Sequence, residues 1–341
     1  MEKQNIDWSN IGFGYIKTRS RFVANYKNGA WDKGGLTEDS NIVISECAGV
    51  LQYAQTCFEG LKAYTTEDGH IVTFRPDLND QRIHDSAVKL RIPPLPEGMF
   101  IDAVKQVVAA NEDYVPPYGS GATLYIRPYM FGSSPVIGVK PAEEYQFRMF
   151  VTPVGPYFKG GVRPLNIRLS DLDRAAPKGT GNIKAGLNYA MSLYNIVEAH
   201  DLGFDENLYL DAATKTKIEE TGGANIIFIT KDGKVVTPKS ETILPSITRR
   251  SLLYVAKNYL GLETEEREIH KDELADFAEC GLCGTAAVIS PVGIINDHGK
   301  EIVFPDSNKE MGPITKKLYD TLTGIQMGRI EAHEGWIMRI K

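Results

Sequence analysis

The sequence predicts an α+β protein that is divided into two domains. Strand patterns often follow one another directly, as in "NLYLDA", "TKIEE", "NIIFIT" and "KVVTP" between residues 207 and 238, which favours adjacent strands over a doubly wound parallel sheet. The length of 341 residues is typical of two domains or of one large domain. The segment "GPYFKGGVRP" (155–164) has three glycines and two prolines, so we expect it to connect a domain of residues 1–154 to one of residues 165–341.

In the first domain, apolar periodicity and turn residues predict two helices among several strands. A helix over 79–92 would begin at Asn79 or Asp80 as its N-cap and end before "PPLP". A second helix over 100–115 has apolar residues at 101, 104, 107 and 108 and ends before "PP". Strands are predicted over 70–75, 122–132 and 146–154.

In the second domain, a strand over 165–170 precedes a glycine-rich loop and a helix over 187–201. The turn "KDGK" (231–234) predicts a hairpin between the strands on either side of it. A helix over 246–261 has Ser246 as its cap and Gly261 as its stop, and a last helix is predicted at about 313–328.

The composition argues against nucleic-acid and membrane surfaces. The net charge is −6 at pH 7, and no apolar run is long enough to span a bilayer. The N-terminal stretch "MEKQNIDWSNIGFGY" has no apolar core, so we interpret it as neither a signal nor a transit peptide. Four cysteines are too few for a disulfide framework. We therefore expect a cytoplasmic protein that binds neither nucleic acid nor membranes.

Cys280 and Cys283 form a C-x-x-C pair, which is the spacing of a redox pair or of half a zinc site. The sequence has no second C-x-x-C, and its six histidines are scattered. We therefore expect no metal site and interpret the two cysteines as structural thiols, with a redox role as the alternative.

Several residues together fit the needs of a pyridoxal phosphate enzyme. Such an enzyme needs a lysine that forms a Schiff base, and Lys184 follows "GTGN", where glycine lets the backbone approach a ligand closely. It needs a carboxylate at the pyridine nitrogen, and Glu219 and Glu220 directly precede the turn "TGGAN". It also needs a phosphate cup and a hydroxyl near the phenolic oxygen. The candidates for these contacts are Arg82, Ile247, Thr248, Thr285 and Tyr189. Taken singly, a charged residue of this kind is typical of solvated surface.

The chain resembles the branched-chain amino acid aminotransferases of fold type IV. The resemblance runs from about residue 11 to residue 338 and rests on motifs that occur in the same order. They are "TCFEGLKAY" (56–64), "FRPDLNDQR" (74–82), "LYIRPYMFG" (124–132), "PVGPYFKGG" (153–161), "GNIKAGLNYA" (181–190), "EETGGANIIFI" (219–229), "ILPSITRRSLL" (243–253) and "GTAAVISPV" (284–292).

The resemblance implies a small N-terminal α/β domain and a larger C-terminal domain with a pseudo-barrel of mixed strands. It implies that Lys184 is the catalytic Schiff-base lysine for pyridoxal 5'-phosphate and that Glu220 meets the pyridine nitrogen. The other implied cofactor-binding residues are Arg82, Tyr189, Ile247, Thr248 and Thr285. The implied substrate-binding residues are Phe58, Tyr125, Arg127, Tyr157 and Ala286, together with Tyr53, Ile137 and Val139 contributed by the second subunit of a homodimer.

The implied reaction is transamination between L-leucine, L-isoleucine or L-valine and 2-oxoglutarate. A D-amino acid aminotransferase or an aminodeoxychorismate lyase would share the cofactor, and a non-catalytic phosphate-ligand binding module would need the phosphate cup without Lys184. The chain departs from the family at Gly223, where a threonine is common. This departure removes a side-chain hydrogen bond near the substrate carboxylate.

Overall fold

The structure, a computed structural model, describes residues 3–155, 163–176 and 178–341. Its strands are β1 (Arg21–Lys27), β2 (Ala30–Trp31), β3 (Gly35–Thr37), β4 (Thr56–Phe58), β5 (Leu61–Thr65), β6 (Ile71–Phe74), β7 (Thr123–Gly132), β8 (Tyr145–Val154), β9 (Leu165–Ser170), β10 (Glu206–Leu210), β11 (Ile218–Thr221), β12 (Asn225–Thr230), β13 (Val235–Pro238), β14 (Thr264–Arg267), β15 (Phe277–Gly284), β16 (Val288–Asp297), β17 (Lys300–Val303) and β18 (Ile337–Arg339). Its α-helices are α1 (Gly49–Tyr53), α2 (Pro76–Lys89), α3 (Met99–Ala110), α4 (Gly186–Asp201), α5 (Ile247–Asn258) and α6 (Pro313–Gln326).

The chain divides into two compact units. The first consists of Met1–Tyr157, Ile183–Leu187 and Ile325–Lys341, and the second of Phe158–Asn182 and Asn188–Gly324. The predicted domain boundaries stay a prediction, because most of the expected connection lies outside the described residues.

In the first unit, nine strands of the described chain form one antiparallel sheet. The strand order is β18-β6-β5-β7-β8-β1-β2, with β3 beside β1 and β4 beside β7. The alternation along β7 directs Leu124, Ile126 and Met130 into a core that also contains the apolar side of α3. Tyr125 and Arg127 alternate with these residues and lie partly exposed on the opposite face. That face of β7 therefore carries two of the predicted substrate-binding side chains.

The predicted N-cap of the first helix is wrong. α2 begins at Pro76, and its N-cap is Arg75, which has a left-handed backbone with φ of 47°. Proline fits the first turn of a helix, where its missing N–H would have no partner. Asn79, one of the two predicted caps, is instead buried inside the helix, and its Nδ2 donates to Oε2 of Glu59 at 2.7 Å.

The helix predicted over 100–115 is shorter than expected. α3 ends at Ala110, and Asn111 is its C-cap. The Asn111 Nδ2 donates to the carbonyl oxygens of Val107 at 2.7 Å and Ser20 at 2.9 Å, which fixes the chain at this point. A short 3₁₀ helix, Glu112–Tyr114, follows instead of further α-helical turns.

The sheet of the second unit is mixed. Its order is β11-β10-β9-β16-β15-β12-β13-β14, with β17 beside β16. β9 is parallel to both β10 and β16, whereas β12 and β13 are antiparallel across the predicted hairpin. The core of this unit includes a stacked pair, Phe228 and Phe277, with ring centroids 4.6 Å apart.

The cap predicted for α5 is confirmed. The Ser246 Oγ accepts a hydrogen bond from the Arg249 N–H at 3.1 Å, and the helix begins at Ile247. It ends at Asn258, three residues before the predicted stop at Gly261, whose φ is +66°.

α4 buries its polar side. Its buried positions are Asn188, Ser192, Asn195 and Ala199. The Asn195 Nδ2 donates to the Ser170 Oγ at 2.6 Å and to the Tyr209 Oη at 3.0 Å. The exposed large residues of this helix are Met191, Leu193, Tyr194 and Val197, with exposed fractions from 50% to 69%. The apolar side of α4 therefore faces away from its own hydrogen-bonded side.

Among the described residues, no helix combines the length and the apolar character that crossing a membrane requires.

Candidate active site

Lys184 is held by its backbone against β4 and α2. Its N–H donates to the Ser86 Oγ at 3.0 Å, and its carbonyl oxygen accepts from the Phe58 N–H at 3.1 Å. The next residue, Ala185, forms an isolated antiparallel bridge with Cys57. The Lys184 Nζ lies 4.8 Å from the centroid of the Phe58 ring. The side chain thus starts from a fixed position, directly before α4 begins.

Arg127 lies against the same aromatic ring. Its guanidinium carbon is 4.8 Å from the Phe58 centroid and 5.3 Å from the Tyr125 centroid. Its Nη2 donates to the Tyr125 Oη at 3.1 Å. Its Nε is buried and has no hydrogen-bond partner among the described residues. The structure therefore brings together Lys184, Phe58, Tyr125 and Arg127 of the predicted set.

Phe13 is a neighbour of this group that the sequence analysis missed. Its ring meets the Tyr125 ring edge-on, with centroids 5.5 Å apart. The segment "FGYIKTRSRF", which begins at Phe13, gave no sequence signal for this contact. The predicted pocket residue Tyr157 lies outside the described residues.

Arg82 is paired with a carboxylate that the sequence analysis did not single out. The Arg82 Nε and Nη2 bind the two oxygens of Glu59 at 2.7 Å and 2.8 Å, and both side chains are buried. A bidentate pair of this kind fixes the plane of the guanidinium group. Glu59 lies inside the motif "TCFEGLKAY", next to the predicted pocket residue Phe58.

In the second unit, the structure distinguishes Glu220 from Glu219. Glu220 is buried, whereas the carboxylate of Glu219 is partly exposed and accepts from the hydroxyl groups of Ser240 and Thr242. The Glu220 Oε1 accepts from the Leu244 N–H at 2.8 Å, and its Oε2 accepts from the Asn225 Nδ2 at 2.6 Å. A buried carboxylate with several donors suits contact with a protonated ring nitrogen.

Arg174 balances the charge of Glu220, and no sequence signal pointed to it. Its Nη2 lies 2.9 Å from the Glu220 Oε1. The same nitrogen donates to the carbonyl oxygens of Gly181 at 2.7 Å and Thr242 at 2.8 Å. The charge pair is buried, because Arg174 and Glu220 expose only 8% and 4% of their side chains.

The N-terminus of α5 presents two amide groups. The Ser246 Oγ accepts a hydrogen bond from the Arg249 N–H. The Ile247 and Thr248 N–H groups donate to no acceptor in the part of the chain that the structure describes. Unpaired N–H groups at the start of a helix bind anions such as phosphate.

The predicted Thr285 and Ala286 lie in the turn between β15 and β16 and are partly exposed. This turn runs beside the turn that follows Glu220, because a Cβ at Gly284 would lie 3.9 Å from the Ala224 Cβ. Tyr189 lies in the first turn of α4 and is also partly exposed.

The surroundings of Cys280 and Cys283 fit the interpretation as structural thiols. Their separation of three residues on β15 points their side chains to opposite faces, and both are buried and free. Burial raises the pKa of the Cys283 thiol to about 12 and that of Cys280 well above its usual range. Across the described residues there is also no group of three or more His, Cys, Asp or Glu side chains that could hold a metal ion. The structure therefore supports two structural thiols.

Comparisons with known proteins identify the family of the chain. Residues 56–295 match the family Amino-transferase class IV. A branched-chain-amino-acid aminotransferase of Haemophilus influenzae is 53% identical over 99% of this chain and 100% of its own length.

Two solved structures are similar along almost the whole chain. The branched-chain amino acid aminotransferase of Escherichia coli is 27% identical, with a TM-score of 0.79 over 95% of this chain and 100% of that chain. The branched-chain aminotransferase of the thermophilic archaeon Thermoproteus uzoniensis, solved with norvaline, is also 27% identical, with a TM-score of 0.77 over 94% of this chain and 100% of that chain.

Proposed function

Because the chain belongs to the class IV amino-transferases, we propose that it transfers amino groups between L-leucine, L-isoleucine or L-valine and 2-oxoglutarate. The observation that carries this function is the 53% identity to a branched-chain-amino-acid aminotransferase over nearly all of both chains. The expected α+β, two-domain fold of type IV is confirmed by the same comparisons. The reaction consists of two half-reactions that share one covalent carrier, so ping-pong kinetics follow.

The cofactor is pyridoxal 5'-phosphate, which when bound supplies an aldehyde for the amino group and a ring that withdraws electrons from the substrate Cα. The described residues fit its phosphate and its pyridine ring. The two unpaired N–H groups at the start of α5 suit a phosphate, and the buried Glu220 carboxylate suits a protonated nitrogen. The further contacts that we assign to the cofactor are made by Arg82, Tyr189, Thr248, Ile247 and Thr285.

Lys184 carries the covalent and proton-transfer roles. Its Nζ would hold the cofactor through the aldehyde carbon and, as a free amine, would accept the proton from the substrate Cα. The backbone bonds to Ser86 and Phe58 fix the start of this side chain, so that its length alone sets the reach of the Nζ. Such positioning accounts for much of the rate in enzymes of this kind.

The pocket accepts both an apolar side chain and a γ-carboxylate. The rings of Phe58 and Tyr125 provide apolar surface for leucine, isoleucine and valine, as Tyr157 is expected to do. The buried Nε of Arg127 is a charged donor without a partner in the described chain, and it suits the γ-carboxylate of glutamate. The Ala286 amide is assigned to the α-carboxylate.

The activity test compares substrates of the three related enzyme classes. We expect L-leucine with 2-oxoglutarate to react, whereas D-alanine and 4-amino-4-deoxychorismate do not. Turnover of D-alanine or 4-amino-4-deoxychorismate in place of L-leucine would assign the chain to another class IV activity. An absorbance spectrum that no amino acid changes would indicate a binding module without catalysis.

The lysine assignment has a direct chemical test. Borohydride reduction of the yellow protein, followed by peptide mapping, should place the trapped cofactor on Lys184. The K184A variant should trap none while keeping its circular dichroism spectrum. A cofactor trapped on another lysine would overturn the whole set of roles.

The protein acts as a homodimer in which Tyr53, Ile137 and Val139 reach the active site of the second subunit. This proposal is supported by their exposure, which is 77% for Ile137 and 89% for Val139, and by a hydrogen bond from the Tyr53 hydroxyl to the Ile137 carbonyl oxygen. The exposed apolar side of α4 supports it independently, because soluble proteins seldom leave such a surface uncovered.

Light scattering after gel filtration tests the dimer. The wild-type protein should have twice the mass of one chain, and V139D should shift toward one chain mass and lose activity. V303D, at an exposed valine of β17, is the matched control and should behave as the wild type. A V139D protein with unchanged mass and activity would contradict the proposal.

We also propose a cytoplasmic location. All four cysteines are free, and three of them are buried. Cysteines without disulfides are typical of a reducing compartment.

A further inference from the structure

Glu206 lies behind the turn that follows Glu220. It is the first residue of β10, and β10 pairs with β11, the strand that ends at Thr221. Its Oε1 accepts a hydrogen bond from its neighbour, the Asn207 N–H, at 2.8 Å. Burial raises the pKa of the Glu206 carboxyl, while the N–H groups of Asn207 and Gly222 and the nearby His200 act in the opposite direction.

The Glu206 carboxyl group occupies the space beside two glycines. A Cβ at Gly222 would lie 3.2 Å from its Oε1 and 3.7 Å from its Oε2. A Cβ at Gly223 would lie 3.8 Å from its Oε2, which is an ordinary contact distance. Neither glycine has a positive φ, so the carboxyl group rather than the backbone conformation disfavours a side chain at 222.

The two ends of the same turn are fixed by other bonds. The Thr221 Oγ1 donates to the Ala224 carbonyl oxygen at 2.9 Å and accepts from the Ala224 N–H at 3.1 Å. The middle of the turn, Gly222 and Gly223, has no side chain of its own to hold it. The Glu206 carboxyl group is the side chain that packs against this part.

The turn lies beside the one that carries Ala286. β12 and β15 pair with Asn225 opposite Cys283, and a Cβ at Gly284 would touch the Ala224 Cβ at 3.9 Å. The backbone N–H groups of the two turns therefore lie at one end of this strand pair.

We propose that Glu206 is a positioning residue that braces the Gly222–Gly223 turn for binding of the substrate α-carboxylate. The proposal rests on the proposed function, which assigns the α-carboxylate to the Ala286 amide in the neighbouring turn. It accounts for glycine at position 222, where a Cβ would lie 3.2 Å from the carboxyl group. Without the Glu206 carboxyl group, the hydrogen bonds between Thr221 and Ala224 remain, but the peptide groups of Gly222 and Gly223 are no longer held in one orientation.

The test uses the holoenzyme and 4-methylpentanoate, a carboxylate with the side chain of leucine and no amino group. Calorimetry gives its dissociation constant for wild type, E206A and E206Q, and steady-state kinetics give kcat and KM for L-leucine. We expect E206A to weaken the binding of 4-methylpentanoate about tenfold and to raise the KM for L-leucine about tenfold. The kcat should stay within about threefold of wild type, because a turn in the wrong orientation affects substrate binding first. E206Q should stay within about threefold of wild type, since its amide oxygen still accepts from the same N–H groups.

The glycines provide a matched pair of variants. G222A should weaken binding about tenfold because its Cβ meets the carboxyl group, whereas G223A should stay within about threefold. In E206A/G222A the clash is absent, so the double variant should bind no more weakly than E206A alone. This non-additivity separates the contact between Glu206 and Gly222 from a general loss of stability in either variant.

Three results would overturn the proposal. They are unchanged binding in E206A, equal losses in E206A and E206Q, or equal losses in G222A and G223A. Failure of the proposed function is a separate result: wild-type protein would then not turn over L-leucine, while the dissociation constants of 4-methylpentanoate would still report on Glu206.

Discussion

Arg127 and Lys184 direct their cationic groups at the same aromatic ring. The Arg127 guanidinium carbon and the Lys184 Nζ each lie 4.8 Å from the centroid of Phe58. Phe58 also donates its N–H to the Lys184 carbonyl oxygen, so the ring and the lysine are linked through the backbone as well. The ring thus contacts both the group that we assign to chemistry and the group that we assign to substrate choice.

The first prediction concerns the role that we assign to Arg127. R127M should lower kcat/KM for 2-oxoglutarate about a hundredfold and for L-leucine less than tenfold, because a charge-assisted bond to the γ-carboxylate is lost while the apolar walls remain. Steady-state kinetics with each substrate varied in turn measure both values. Equal losses for the two substrates would refute the role assigned to Arg127.

A second prediction concerns the buried pair of Glu59 and Arg82. E59Q should lower the free energy of unfolding by about 3 kcal/mol, because it leaves a buried guanidinium group without its counter-charge. Denaturant unfolding of the apo-protein measures this change. D320N, which breaks the exposed pair of Lys316 and Asp320, is the control and should cost less than about 0.5 kcal/mol. Similar losses of unfolding free energy in the two variants would show that the buried pair stabilises the protein no more than the exposed pair does.

Burial of Lys62 predicts an alkaline pH dependence of stability. Burial lowers the pKa of Lys62 to about 8, below its ordinary value of 10.5. Between these two pH values the unfolded chain binds a proton that the folded chain does not, so the free energy of unfolding rises with pH in this window. Relative to K62M, wild type should gain about 3 kcal/mol between pH 8 and pH 10.5. A difference that is constant from about pH 7 to about pH 11 would contradict the prediction.

Thiol labelling tests the interpretation of the cysteines. In the native protein, at most one thiol should react rapidly with Ellman's reagent, namely Cys47, because the other three are buried and burial raises the pKa of each. C47S should remove the fast phase, and denaturation should expose all four thiols of the wild type. Rapid labelling of two thiols in C47S would restore the redox alternative for the C-x-x-C pair.

Three strands were predicted well from the sequence. The strand over 165–170 was predicted with its observed bounds, and those over 122–132 and 146–154 to within one residue. The start of α2 was missed because Arg75 adopts a left-handed backbone conformation that no local sequence pattern predicts.

The ion pairs of the candidate site were much harder to predict. Glu59 and Arg82 are 23 residues apart, and Arg174 and Glu220 are 46 residues apart in the sequence numbering, so no spacing rule connects either pair. The sequence motifs identify Lys184, Glu220 and Arg82 as site residues. Which charged residue lies opposite each of them depends on the tertiary fold. The residues alone left Glu219 and Glu220 open. The resemblance implied Glu220, and the burial of its side chain suits that choice.

The surroundings of Glu220 have a consequence for anyone who alters this enzyme. Its carboxylate is bound by Arg174, Leu244 and Asn225 inside the protein. Replacing it would therefore strand a buried guanidinium group and leave two donors unsatisfied, in addition to changing the chemistry. The cofactor contact that we assign to Glu220 and the stability of this unit therefore depend on the same side chain, so a redesign at position 220 has to change Arg174 at the same time.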